Sequence, residues 1–124
     1  MRKFTKVLAV IFLLAAFAGA DDDQLFTSLN AVSATGAGNA VRSVGGTGER
    51  NFTWVTFFTG TPTAINVNLE GSVDGTHYYT LDSSTSTSGE MRHIAYKSVR
   101  FVRCNISSYT VNGSTASCRI FGVS

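Results

Sequence analysis

The chain has 124 residues, with ten Lys/Arg against eight Asp/Glu, but three of the bases, Arg2, Lys3 and Lys6, fall in the first six positions. Beyond them seven bases face eight acids, so the body of the chain is near neutral and lacks the dense cationic surface that a nucleic-acid partner requires. The length allows one domain with one modest core, and the two cysteines, Cys104 and Cys118, allow a single intramolecular pairing.

In chain order, Arg2, Lys3 and Lys6 precede an apolar run from Val7 to Ala18 that ends in Ala18-Gly19-Ala20. A basic head, a short apolar body and a small-x-small end are the marks of a secretory signal peptide. The run is shorter than the roughly 20 residues of a membrane span. Residues 1–20 therefore read as a leader cut after Ala20, leaving Asp21-Asp22-Asp23 as the mature head. The protein is then secreted, extracellular or virion-associated, and meets a membrane only through that leader.

Residues 21–50 read as a lead-in arm with Gly-rich loops. Leu25, Phe26, Leu29 and Val32 suit one helical turn or an irregular strand, and Ala40 to Val44 a short edge strand. The regular core spans 51–124, with the domain beginning near residue 25. Phe52, Trp54, Thr56 and Phe58 alternate with Thr53, Val55 and Phe57, so both faces are apolar or β-prone; this suits a strand buried on both sides or covered on its outer face. Thr59-Gly60-Thr61-Pro62 is a turn. Ile65, Val67 and Leu69 alternate with Asn66, Asn68 and Glu70 as a half-buried strand. Asp74 and Gly75 form the turn of a hairpin, Gly75 supplying a positive φ, and the chain returns through His77-Tyr78-Tyr79-Thr80-Leu81.

Asp82 to Gly89 reads as a polar loop, followed by a short strand from Met91 to Tyr96. In the segment Ser98 to Ile106, Val99 and Phe101 share one parity and Val102, Cys104 and Ile106 the other, which predicts a β-bulge between Phe101 and Val102. In the last segment Ala116, Cys118 and Ile120 share a face. Placing Cys104 opposite Cys118 in an antiparallel hairpin, turned at Thr110-Val111-Asn112 beside Gly113, also sets Val102 on Ile120 and Ile106 on Ala116. Directly opposed residues are within disulfide reach, so a Cys104–Cys118 bridge is expected; two buried free thiols are the alternative. The whole predicts a single antiparallel β-sandwich, jelly-roll or immunoglobulin-like, of about seven or eight strands.

The stretches NAVSATGAGNAV, NFTWVTFFTGTPTAINVNLEGSVDGTHYYTL, STSTSGE and SVRFVRCNIS resemble a β-sandwich domain of tailed-bacteriophage structural proteins, of decoration or fibre type, over Leu25 to Val123. The cadence of strand, Ser-x-Asp-Gly, aromatic and Arg-aromatic-Val-Arg is also similar to discoidin-like, galactose-binding jelly rolls, although Tyr78 stands where such domains commonly carry Trp. The first resemblance implies a virion or appendage module with protein partners and homo-oligomeric assembly. The second implies a secreted module that binds glycans.

No pattern for catalysis accompanies this. His77 and His93 lack metal-ligand spacing, no Ser lies in a Gly-x-Ser-x-Gly context, and the carboxylates Glu70, Asp74, Asp82 and Glu90 mark no cleft of paired acids. The reading is a non-enzyme without metal or cofactor. The candidate recognition residues are His77, Tyr78, Tyr79 and Arg92, polar and aromatic groups near loop tips that suit sugar rings or protein surfaces. For Tyr78 and Tyr79 the competing reading is packing on either side of the hairpin.

Overall fold

A computed structural model describes residues 25–42 and 50–123. The leader, the Asp21-Asp22-Asp23 head and the Gly45–Gly48 segment lie outside the described residues. The strands are β1 (Leu25–Val32), β2 (Gly36–Ala37), β3 (Val41–Arg42), β4 (Arg50–Thr59), β5 (Ala64–Ser72), β6 (Tyr79–Ser84), β7 (Glu90–Lys97), β8 (Phe101–Thr110) and β9 (Thr115–Val123). They form a four-stranded sheet in the order β1-β9-β4-β7 and a five-stranded sheet in the order β2-β8-β5-β6, with β3 also on β8.

The pairing is nested: β1 with β9, β2 and β3 with β8, β4 with β7, and β5 with β6, all antiparallel. One long hairpin is thus rolled into two sheets, and the β4–β9 and β5–β8 pairs complete them. This is a jelly roll. The period-2 alternation of the strands turns Phe52, Trp54, Ala116, Cys118 and Ile120 inward from one sheet and Ile65, Val67, Leu69, Val102, Cys104 and Ile106 from the other, and together with Leu29 they make the core.

Cys104 and Cys118 are bonded, but not in the expected register. Cys104 lies on β8 and Cys118 on β9, in different sheets, and the bridge crosses the core with a Cα–Cα separation of 6.4 Å. The strand neighbours of Val102 are Gly71 and Val41, and those of Ile120 are Trp54 and Phe26. The turn at Asn112 (φ 50°) and Gly113 (φ 73°) carries the chain from one sheet to the other instead of closing a hairpin. The physical reason is that inward positions of facing sheets meet across a core as readily as neighbours within one sheet, so apolar parity alone cannot separate the two arrangements.

The bulge is also elsewhere. Val102, Cys104 and Ile106 run inward without a break, and the β5–β8 register slips at Asn66/Val67, across from Ser107. Val99 precedes β8, which removes the parity conflict that predicted a bulge at Phe101. The polar loop is shorter than the span Asp82 to Gly89, because β6 runs on to Ser84.

Polar links fasten the two open sides of the sandwich. On the β1/β2 side, Ser28 Oγ accepts the Cys104 N–H (2.9 Å) and donates to the Asn39 carbonyl (2.7 Å). A Cβ on Gly38 would overlap the Ser28 carbonyl, so this corner requires glycine. On the β6/β7 side, Asp82 of one sheet grips Arg92 of the other.

Candidate functional site

The loop between β5 and β6 is organised by one carboxylate. Asp74 Oδ1 accepts the backbone N–H groups of Thr76 and His77 (2.8 Å each) and the Ser72 hydroxyl (3.0 Å). Oδ2 accepts from His77 Nδ1 at 2.7 Å. The His77 N–H, then its imidazole, then Thr76 and Ser72 hold the Asp74 carboxyl far below the usual range. A carboxylate only accepts, so His77 Nδ1 carries the proton in this contact. Gly75 takes φ 80° against the Phe101 ring, which a Cβ would meet at 3.1 Å. Beside this loop, Val73, His77, Tyr79, Leu81 and Val99 line a depression of about 460 Å³, over which Tyr79 is 72% exposed.

The four candidate recognition residues do not converge. His77 and Tyr79 border the depression. Tyr78 instead lies under the Arg103 guanidinium, 3.7 Å from ring centroid to Cζ. Arg92 is on β7, where Nε and Nη2 donate to the two oxygens of Asp82 (2.8 and 3.0 Å). Asp82 Oδ2 also accepts the indole N–H of the buried Trp54 at 3.0 Å. Partial burial pushes the Asp82 carboxyl upward, but Arg92, Trp54 and the Ser83 N–H together outweigh it and leave the pKa below the usual value. Glu90 extends the clasp, accepting from Ser84 Oγ at 2.5 Å and lying 3.6 Å from Arg92.

The outer face of the five-stranded sheet is polar, and most of its polar groups pair with one another, although the buried Asn66 Oδ1 makes no hydrogen bond among the described residues. Glu70 accepts from Arg103 Nε and Asn105 Nδ2 (2.9 Å each), and Ser83 donates to Asn68 at 2.7 Å. Among the described residues no three His, Cys, Asp or Glu side chains are grouped to hold a metal ion.

The outer face of the four-stranded sheet differs. Strand registers place Leu25, Phe121, Thr53 and His93 in one row across all four strands, and Thr27, Arg119, Val55 and Met91 in the next. Ser117 and Phe57 begin a third. Met91 is 71% exposed, Leu25 50% and Phe57 40%, and a shallow hollow of about 310 Å³ lies among these rows. The Arg119 guanidinium sits over the Phe57 ring at 5.2 Å and makes no ion pair among the described residues. No carboxylate stands in the rows. None of these side chains was a sequence candidate, although Val55, Phe57 and Phe121, apolar on the parity opposite the core, carried the signal.

No protein-family model matches the chain, and no curated protein matches it. Among solved structures, a protein derived from the SPBc2 prophage, YomS, superposes with a TM-score of 0.56 at 14% identity, covering 80% of this chain and 91% of that one. The likeness is one of fold. The Yersinia pseudotuberculosis-derived mitogen gives 0.47 at 13% identity over 82% of this chain and 87% of its own. A subunit of the disulfide-linked pili that are Bacillus endospore appendages gives 0.41 at 10% identity, over 82% and 89%.

Proposed function

We propose that this chain is a non-enzymatic structural module of a virion or extracellular appendage, acting through surface complementarity and self-association after export and loss of residues 1–20. The observation that carries the reading is the outer face of β1-β9-β4-β7: a sheet face with Met91, Leu25, Phe57 and Phe121 open to solvent is the kind of surface that partners cover. The prophage origin of a protein with the same fold agrees with this. The test is quantitative mass spectrometry of purified particles or appendages from producing cells. The module is expected at fixed stoichiometry with the major subunit, its first residue Asp21; a monomer found only in the medium contradicts the reading.

A second reading, a secreted carbohydrate-binding or adhesion module, draws on the 72% exposure of Tyr79 beside the depression at the β5–β6 loop. It requires glycan-array binding that Tyr79→Ala abolishes without changing the melting temperature.

A further inference from the structure

We infer that Asn112-Gly113 is a site of covalent self-modification, at which Asn112 converts without an enzyme to aspartate or isoaspartate through a succinimide ring. Asparagine is among the thermolabile residues, and its ring closure makes three demands on a fold. The side chain must be open to water, the next backbone nitrogen must be available as a nucleophile, and the chain must have room to rotate. Asn112 and Gly113 are both exposed, in the turn between β8 and β9. That turn closes through Ser114, whose N–H donates to the Val111 carbonyl at 2.9 Å, and the Gly113 N–H makes no hydrogen bond among the described residues. A Cβ on Gly113 would meet nothing within 4 Å, so the space around it is open. Asn112 stands at φ 50°, a region asparagine enters more readily than most residues. Its Nδ2 donates to the Thr61 carbonyl at 3.3 Å, a long hydrogen bond.

Hydroxide removes the Gly113 amide proton, and the nitrogen attacks Asn112 Cγ. The new Cγ–N bond closes the ring as the Cγ–Nδ2 bond breaks, and Nδ2 leaves as ammonia with a proton from water, which regenerates the hydroxide. Water then adds to either ring carbonyl. Addition at Cγ reopens the ring to aspartate; addition at the backbone carbonyl leaves the chain running through Cβ and Cγ, which is isoaspartate. One water enters, one ammonia leaves, and a neutral amide becomes a carboxylate.

Asp74-Gly75 has the atoms for the same ring and is locked against closing it. The Gly75 N–H donates to Ser72 Oγ at 2.9 Å. The Asp74 carboxylate is held by Ser72, Thr76 and His77, and a carboxylate is a poor electrophile. Modification at Asn112 acts on one end of the sandwich, where the β4–β5 and β8–β9 connections both cross between sheets. The Asn112–Thr61 bond ties these crossings, and a Cβ on Gly60 would lie 3.2 Å from the Ser114 Cα. A carboxylate cannot donate to Thr61, and isoaspartate adds an atom to the backbone of the turn.

The test is peptide mapping by mass spectrometry of the folded full chain, kept at mildly alkaline pH in heavy-oxygen water, beside a sample unfolded in urea. In the folded chain Asn112 is expected to be modified ahead of every other asparagine, as a mixture of aspartate and isoaspartate carrying one heavy oxygen, while Asp74 stays aspartate. Unfolding should release Asp74 to isomerise. Asn112→Gly, which keeps the left-handed backbone, should abolish the signal at this turn. The modified form, separated by its added negative charge, should melt on the order of 5 °C below the unmodified one. Asn112 intact in the folded chain but modified in urea, or another asparagine modified first, overturns the inference. Asp74 isomerising in the folded chain as fast as Asn112 reacts overturns the contrast on which it rests, and equal melting temperatures overturn the role of Asn112 as a tie.

Discussion

On the outer face of the five-stranded sheet, Glu70 takes hydrogen bonds from Arg103 and Asn105, and Arg103 covers Tyr78. On the outer face of the four-stranded sheet, Met91 and Leu25 are exposed, and Arg119 sits over the Phe57 ring with no ion pair among the described residues. Both faces belong to antiparallel sheets of similar extent packed on the same core, so backbone geometry does not distinguish them. The distinction lies in whether the outward side chains satisfy one another. A face whose polar groups mostly do so gains little from a partner. A face of exposed apolar groups around a single cation gains from being covered. The residues that look most like a binding site in sequence, His77, Tyr78 and Arg92, make contacts within the chain; the exposed apolar side chains are less conspicuous ones.

The largest expected effect concerns what joins the faces. Replacing Cys104 and Cys118 with Ala removes the link across the core, which closes a 14-residue separation, and costs about 3 kcal/mol. Calorimetry should show a melting temperature lower by on the order of 10–20 °C, with both faces lost in one transition; a shift within error breaks the account of the bridge as the staple between sheets.

Glu70→Ala probes the polar face. It leaves the Arg103 guanidinium and the Asn105 amide without their acceptor and costs about 1–3 kcal/mol by denaturant titration, while association through the other face is unchanged. Loss of association with Glu70→Ala would erase the distinction between the faces.

Acid acts on the β6/β7 side. Asp82 has a lower pKa folded than unfolded, so the unfolded chain binds more protons as the carboxylate titrates. Its contribution is fully present above the unfolded value of about 4 and is lost as pH falls through the folded value. Denaturation midpoints measured from pH 6 downward should decline below about pH 4, and Asp82→Asn should flatten part of that decline.

The smallest expected effect on the isolated chain is that of Met91→Ser, less than about 0.5 kcal/mol, because Met91 is mostly solvated. The same change weakens association. Stability lost without Glu70, and association lost without Met91, would separate the two faces experimentally.

Much of the fold was legible before the structure. Alternation located β4, β5 and β9 and their inward residues, and Asp74-Gly75 marked the loop that Asp74 organises. Which strands lie side by side was not legible, because alternation reports a residue's face and not its neighbour. Cys104 and Cys118 show this most plainly: their parity and export-type leader suggested the bond, while its path across the core depends on nested pairing set by strands as distant as β1 and β9. The arm before residue 51 was obscure for a related reason. Leu25–Val32 has register shifts at Thr27/Leu29 and Leu29/Val32 and a positive φ at Ala31, which blur period-2 alternation. The exposed apolar face was half visible in Val55 and Phe57, but Arg119 joins it only through the β4–β9 register.

Hydroxyl-radical footprinting of the free chain and the assembled form tests the central claim most directly, because Met91 and Tyr79 are almost equally exposed, at 71% and 72%, and lie on different parts of the molecule. In the free chain both should be oxidised readily. In the assembly Met91, with Phe57 and Phe121, should be protected while Tyr79 stays reactive. Protection of Tyr79 with Met91 still reactive would contradict the account and move the docking surface to the β5–β6 loop.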